Sequence, residues 1–114
     1  MDSMKLVYQY ANAAEQHGIA TVEGDYKSAN RSHNRVLEAL HRLDECEPDG
    51  RRRLDCLLGH SSSNVRVWAA THLLAVETER AIAALNEVAV QNGIIGGTAR
   101  TVLSEWKNGT LRIP

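Results

Sequence analysis

Read for the spacing of its apolar positions, the chain of 114 residues predicts six helices and no strand. Asp2 or Ser3 can cap a first helix that reaches about Gln16 and stops at His17-Gly18, because glycine accepts the left-handed backbone of a helix end. A second helix runs from about Gly24 to Cys46, where Glu47-Pro48-Asp49-Gly50 breaks it. At about 100° per residue, Tyr26, Ala29, His33, Val36, Leu40 and Leu43 form one stripe. Arg31, Asn34, Arg35, Glu38 and Arg42 fall on the other side, so one face is expected to be buried.

A short third helix, about Asp49 to Leu58, has Asp49 as its cap, buries Leu54, Leu57 and Leu58, and closes at Gly59. The stretch SSSNVRVWAATHLL, residues 61–74, supplies a fourth, capped by Ser63 or Asn64. Val65, Trp68, Ala69, Leu73 and Val76 cover one side of it and Val67, Ala70 and Leu74 the other. A helix apolar nearly all round is expected to be enclosed by several neighbours. The fifth starts at Glu77 or Thr78, carries Ala81, Ile82, Leu85, Val88 and Ala89 on one face, and stops at Asn92-Gly93. The sixth, about Gly96 to Lys107, presents Ile95, Ala99, Val102, Leu103 and Trp106 inward, turns Arg100, Thr101, Ser104, Glu105 and Lys107 to water, and ends at Asn108-Gly109.

Repetition adds more than any single element. A shift of twenty-nine places superposes Val65 on Ile94, Ala70 on Ala99, Leu73 on Val102 and Leu74 on Leu103. A shift of thirty-one brings Leu54 and Leu57 onto Leu85 and Val88. Two helix pairs with a period near thirty read as stacked units, and loops as short as residues 59–63 and 76–78 force antiparallel neighbours. The pattern Val65-Arg66-x-x-Ala69-Ala70-x-x-Leu73-Leu74 resembles the second helix of a HEAT repeat, a likeness that covers residues 49–107. Over residues 20–110 the chain is similar to a small bacterial HEAT-like family of unknown function. There, Gly24-Asp25-Tyr26-Lys27-x-x-Asn30-Arg31 precedes the Val-Arg helix, and Gly93-x-x-Gly96-x-x-Ala99 precedes Leu103-Ser104-Glu105-Trp106. Ser61–Ser63 stand where the HEAT turn usually has an acidic residue. The resemblance implies an all-α fold, a short right-handed α-α superhelix of about six antiparallel helices. It also implies that Arg66 hydrogen-bonds backbone or a carboxylate between repeats. The expected organisation is one domain, 1–114, made of an N-terminal helix pair (1–46), two HEAT-like pairs (49–107) and a tail (108–114).

Composition narrows the function classes. Phe is absent and aromatics make up 4%, so the core must be built from Ala, Leu, Val and Ile. Thirteen basic against fourteen acidic residues, a net charge of −1, argue against generic nucleic-acid binding, which needs a basic face to displace counterions. Two cysteines, Cys46 and Cys56, make no disulfide framework and are expected as free thiols in a reducing cytoplasm. The opening residues MDSMKLVYQYANAAEQ lack the basic segment, apolar run and small-residue cleavage site of a signal peptide, so none is expected, and the longest nearly apolar run, Val65 to Val76, is too short to span a bilayer.

The candidate chemistry largely dissolves on inspection. Gly59-His60-Ser61-Ser62-Ser63 lacks the second glycine and the strand of a nucleophile elbow, so its serines read as loop and cap. Cys46, Cys56 and His60 with His33 or His41 lack the paired tight spacing of structural zinc sites, and no metal or cofactor is expected. Residues 93–98 are glycine-rich, yet no Lys-Ser/Thr follows, so no phosphate loop is expected. Arg51-Arg52-Arg53 reads as a solvated face. Antiparallel stacking would gather Asp44, Glu45, Glu47, Asp49, Glu77 and Glu79 on one edge, a charged rim suited to a protein partner. His60, Arg66 and Trp68 complete the expected contact set, Arg and Trp being the types most often found at hot spots, although Trp68 also suits the core.

These features predict a non-enzymatic protein-binding module of the cytoplasm, a monomer or weak homodimer, with no membrane or nucleic acid as partner. The specific expectation is an immunity protein that occludes the active cleft of a cognate bacterial toxin. The alternatives are a nucleic-acid-associated HEAT-like domain using Arg31, Arg35, Arg42 and Arg51–Arg53, and an adaptor.

Overall fold

The structure, a computed structural model, describes residues 3–46 and 48–114. Among them every regular element is helical, five α-helices and one 3₁₀ helix, in agreement with the apolar spacing. The chain divides into two units, one up to Leu54 and the other from Asp55 to Pro114.

The first unit is a helical hairpin of α1 (Ser3–Glu23) and α2 (Tyr26–Asp44), which pack against each other. The expected stop at His17-Gly18 does not occur. Gly18 is buried inside α1, and Thr21 Oγ1 donates to the His17 carbonyl at 2.8 Å, so the helix continues through Ala20, itself buried. The stop is Gly24, whose φ of +75° only glycine adopts readily. Its N–H donates to Thr21 O and that of Asp25 to Ala20 O, which satisfies carbonyls left open at the end of α1. One residue later Asp25 caps α2, its Oδ1 accepting from Ser28 N–H at 3.1 Å. The buried face of α2 is Ser32, Val36, Ala39, Leu40 and Leu43. Tyr26 and His33, expected on that stripe, are exposed, Tyr26 by 80%. The stripe is wider than the contact with α1, and the smaller Ser32 and Ala39 occupy the face where the helices meet.

After α2 comes a 3₁₀ helix, Arg51–Gly59, instead of the expected α-helix capped by Asp49. Burial here recurs at every third position, with Arg51 half-buried and Leu54 and Leu57 buried, and three residues per turn keep those positions on one side. Asp49 adopts a left-handed φ of 54°, and its carbonyl accepts from Arg52 N–H at 3.1 Å. Arg51 grips Asp44 with both prongs of its guanidinium, Nε to Oδ1 at 2.9 Å and Nη2 to Oδ2 at 2.7 Å.

The second unit holds α3 (Ser63–Leu73), α4 (Thr78–Ala89) and α5 (Ile94–Asn108), each packed on the other two. As expected of a helix apolar all round, α3 buries Val65, Val67, Ala69, Ala70 and Leu73, and Leu74 just beyond it is also buried. An Arg80–Asp55 ion pair at 3.2 Å ties α4 to the 3₁₀ segment. Gly93 does not end α4, which stops at Ala89. With φ at 93°, Gly93 stands immediately before α5, which therefore begins at Ile94 and not at Gly96. At the other end Gly109, φ 74°, closes α5 as the spacing predicts.

The internal repetition survives as burial at Ala70 with Ala99, Leu73 with Val102, Leu54 with Leu85 and Leu57 with Val88. Leu103, by contrast, is half-buried where Leu74 is fully covered. The Val65–Ile94 match fails: Ile94 is 54% exposed because it opens α5, whereas Val65 lies in the middle of the first turn of α3. Gly96 sits so close to the end of α4 that a Cβ there would lie 2.0 Å from the Gln91 carbonyl oxygen, while Gly59 has nothing within 4 Å. Gly96→Ala is therefore expected to cost about 2–3 kcal/mol in urea unfolding through overpacking. Gly59→Ala should stay within about 0.5 kcal/mol of the original.

Candidate functional site

In the second unit the polar chemistry collects at the loop before α3. Ser62, not Ser63 or Asn64, occupies the cap position, and its side chain makes no capping bond. Its N–H donates instead to His60 Nδ1 at 2.9 Å. Arg66 reaches back from the first turn of α3: Nη1 donates to His60 O at 2.6 Å and Ser61 O at 3.4 Å, and Nη2 to Ser63 Oγ at 2.9 Å. The Ser63 hydroxyl in turn donates to Gln91 Oε1 at 3.1 Å. Arg66 thus binds backbone carbonyls of the loop that precedes its own helix, whereas the HEAT resemblance implies a bond between repeats. Two buried atoms of this cluster, Arg66 Nε and Asn64 Oδ1, have no hydrogen-bond partner among the described residues.

Arg100 does equivalent work one connection later, donating through Nη1 to Ala89 O at 2.7 Å and Gln91 O at 3.1 Å. Sequence reasoning placed it on the water-facing side of the last helix and missed this clamp. The available signal was an arginine in the second turn of a helix, within reach of the preceding loop's carbonyls.

The remaining contact candidates are distributed between the units. In the first, Asp44 is taken by Arg51, Glu45 is exposed as the residue closing α2, and Asp49 is exposed with Arg52 at 3.9 Å. Glu47 lies outside the described residues. In the second, His60 is bonded to its own loop and Arg66 to His60, while Glu77 precedes α4 without capping it and Glu79 is exposed in its first turn. Trp68 is half-buried and its ring lies 5.6 Å from that of His72, which is 2% exposed. Burial pushes the exposed-edge Cys56 thiol up, with the Asp55 charge adding to it, whereas Cys46 Sγ donates to Arg42 O at 3.4 Å. Among the described residues no three or more His, Cys, Asp or Glu side chains are grouped to hold a metal.

A second feature belongs to the hairpin. Two adjoining depressions of about 300 and 270 Å³ run along the seam between α1 and α2, and Arg35 lines both. From α1 they take Gln9, Asn12 and Gln16, and from α2 Arg31, Arg35 and Arg42. On the hairpin, too, the rings of His17 and His33 lie 6.1 Å apart.

Residues 4–105 match a family described as a domain of unknown function, DUF2019. The chain belongs to this family. No curated protein matches it. In fold the chain is similar to the crystal structure of the protein RPA1889 from Rhodopseudomonas palustris CGA009. The TM-score is 0.91 and the identity 23%, over 100% of this chain and 95% of that one. At that identity the likeness shows a shared fold alone. No helix among the described residues of this DUF2019 chain is long and apolar enough to cross a membrane.

Two measurements probe these arrangements. Removing the Arg66 guanidinium in Arg66→Met should lower stability by about 1–3 kcal/mol, the range for bonds to a charged donor. Arg66→Lys should recover less than half, because an ammonium cannot fork towards a carbonyl and a hydroxyl at once. Burial lowers the His17 pKa, and the charge of His33 lowers it further. The unfolded chain therefore takes up this proton more readily than the folded one. The stability it contributes is complete above the unfolded value of about 6.5 and is lost as the pH falls through the folded one. The urea midpoint should accordingly drop from about pH 7.5 to about pH 5, and His17→Gln should flatten that dependence.

Proposed function

We propose that this protein is a non-enzymatic protein-binding module of the HEAT-like kind, and that its partner is a toxin whose active cleft it occludes. The observation that carries the reading is the destination of its polar chemistry. The Ser63 hydroxyl, His60 Nδ1 and the guanidinium groups of Arg66 and Arg100 are all bonded to the protein's own loops. What remains for a partner is surface: the seam of the helical hairpin and exposed carboxylates such as Glu45, Asp49 and Glu79. The burial of α3 along Val65, Ala69, Ala70 and Leu73 supports the HEAT-like assignment.

Inhibition of a toxin by such a module needs no chemistry of its own. Complementary charge speeds encounter and fixes register, and a few well-packed anchors supply most of the affinity. Half-buried Trp68 is an anchor of the favoured type. A cytoplasmic site of action, as a monomer or weak homodimer, accompanies this reading. The test is co-expression with the product of the adjacent gene. Cells carrying both are expected to grow where cells with that product alone do not, and the two proteins are expected to co-purify. Equal growth arrest with and without this protein, and no complex, would discard the immunity role.

A further inference from the structure

We propose that the seam between α1 and α2 is a docking groove for an extended acidic segment of a protein partner, in which carboxylates two residues apart meet Arg35 and Arg31. The inference rests on the protein-binding reading and names the chemistry of the segment bound. The floor is built from small residues, Ala13 and Ala20 from α1 and Ser32 and Ala39 from α2, whose short side chains leave the recess open. One wall carries the amides of Gln9, Asn12 and Gln16, whose spacing of three and four residues puts them on one face of α1. Amide side chains both donate and accept, which matches the N–H and C=O groups of a peptide backbone.

The other wall sets the register. Arg31 and Arg35 are four residues apart on α2, about 6 Å along its axis. An extended peptide presents every second side chain to the same side, about 6.6 Å apart. Arg35 makes no hydrogen bond or ion pair among the described residues, and it lines both depressions. Arg31 is held at the groove by a 3.0 Å bond to Ser28 Oγ, and its charge helps keep the Asp25 carboxyl low, after the bonds that carboxyl takes from Ser28. From Asp25 to Arg42 the groove runs about 25 Å, room for about seven extended residues.

A nucleic acid fits this groove less well. Glu23, Asp25 and Glu38 stand along the same rims, and Glu38 already engages Arg42 at 3.1 Å. A backbone with a charge at every nucleotide would meet those carboxylates, and the few arginines available release too few counterions for affinity. A peptide can place neutral residues opposite them.

The test is a titration of the full chain, labelled for amide NMR, with three probes. They are a blocked heptapeptide with glutamates two positions apart, its isomer with the glutamates adjacent, and a single-stranded DNA of similar extended length. The alternating peptide is expected to shift the side-chain amides of Gln9, Asn12 and Gln16 saturably and to bind at least about threefold tighter than its isomer. Arg35→Glu should weaken it by about tenfold, the scale for reversing a charge at a contact. Arg53→Glu, outside the groove, should leave it unchanged. Equal binding of the two peptides, undiminished binding by Arg35→Glu, or DNA binding tighter than either peptide each overturns the assignment. The titration reads the groove without a native partner. In the growth assay, full protection by Arg35→Glu would remove the groove and leave the protein-binding reading standing.

Discussion

Two carbonyl oxygens govern how each unit turns from one helix into its next element. A Cβ on Gly50 would lie 1.7 Å from Leu43 O, and one on Gly96 would lie 2.0 Å from Gln91 O. Backbone packs on backbone at both places, an approach that only glycine permits. In the second unit this contact fixes where α5 starts relative to the end of α4, and the Arg100 clamp on Ala89 O and Gln91 O acts on the same carbonyls. The Ser63–Gln91 bond then ties the loop before α3 to that point. A core without Phe and rich in alanine depends on such close approaches, since small side chains fill space only when helices come near one another.

Seen through its arginines, the chain sorts charge into architecture and surface. Arg51 is forked onto Asp44, while Arg66 and Arg100 bind loop carbonyls. Arg35 has no such engagement among the described residues and lines the hairpin seam. The groove balances Arg31, Arg35 and Arg42 against Glu23, Asp25 and Glu38, and what distinguishes it is that Arg35 is not among the paired charges. This partition underlies the binding role proposed for this DUF2019 chain.

Much of this was legible in the sequence. The number and order of the helices, the enclosed character of α3 and the end of α5 at Gly109 follow from apolar spacing and turn chemistry. The errors share a physical cause: a residue type with two competing uses. Gly18 can end a helix or let one be buried closely, and only the continuing burial of Ala20 decides between them. Ser63 can cap or join a side-chain network, and Gln91, twenty-eight residues on, tips that balance. Leu54 and Leu57 stand three apart in the letters, but so short a pattern also fits an α-helix, and the half-burial of Arg51 adds no apolar signal to it. The seam groove was not legible at all, since Ala13, Ala20 and Ala39 look like ordinary core alanines until α1 and α2 are set side by side.

The two-residue link Gly24-Asp25 has a consequence for how the chain is made. Closing so short a loop costs little entropy, and both signals that form it, the left-handed glycine and the Asp25 cap, are local. The hairpin's defining contacts therefore lie within the N-terminal part of the chain and can form before synthesis is complete. Synthesis thus proceeds with Leu40 and Leu43 already able to find their shelter, which shortens the time during which the apolar face of α2 is open to other chains.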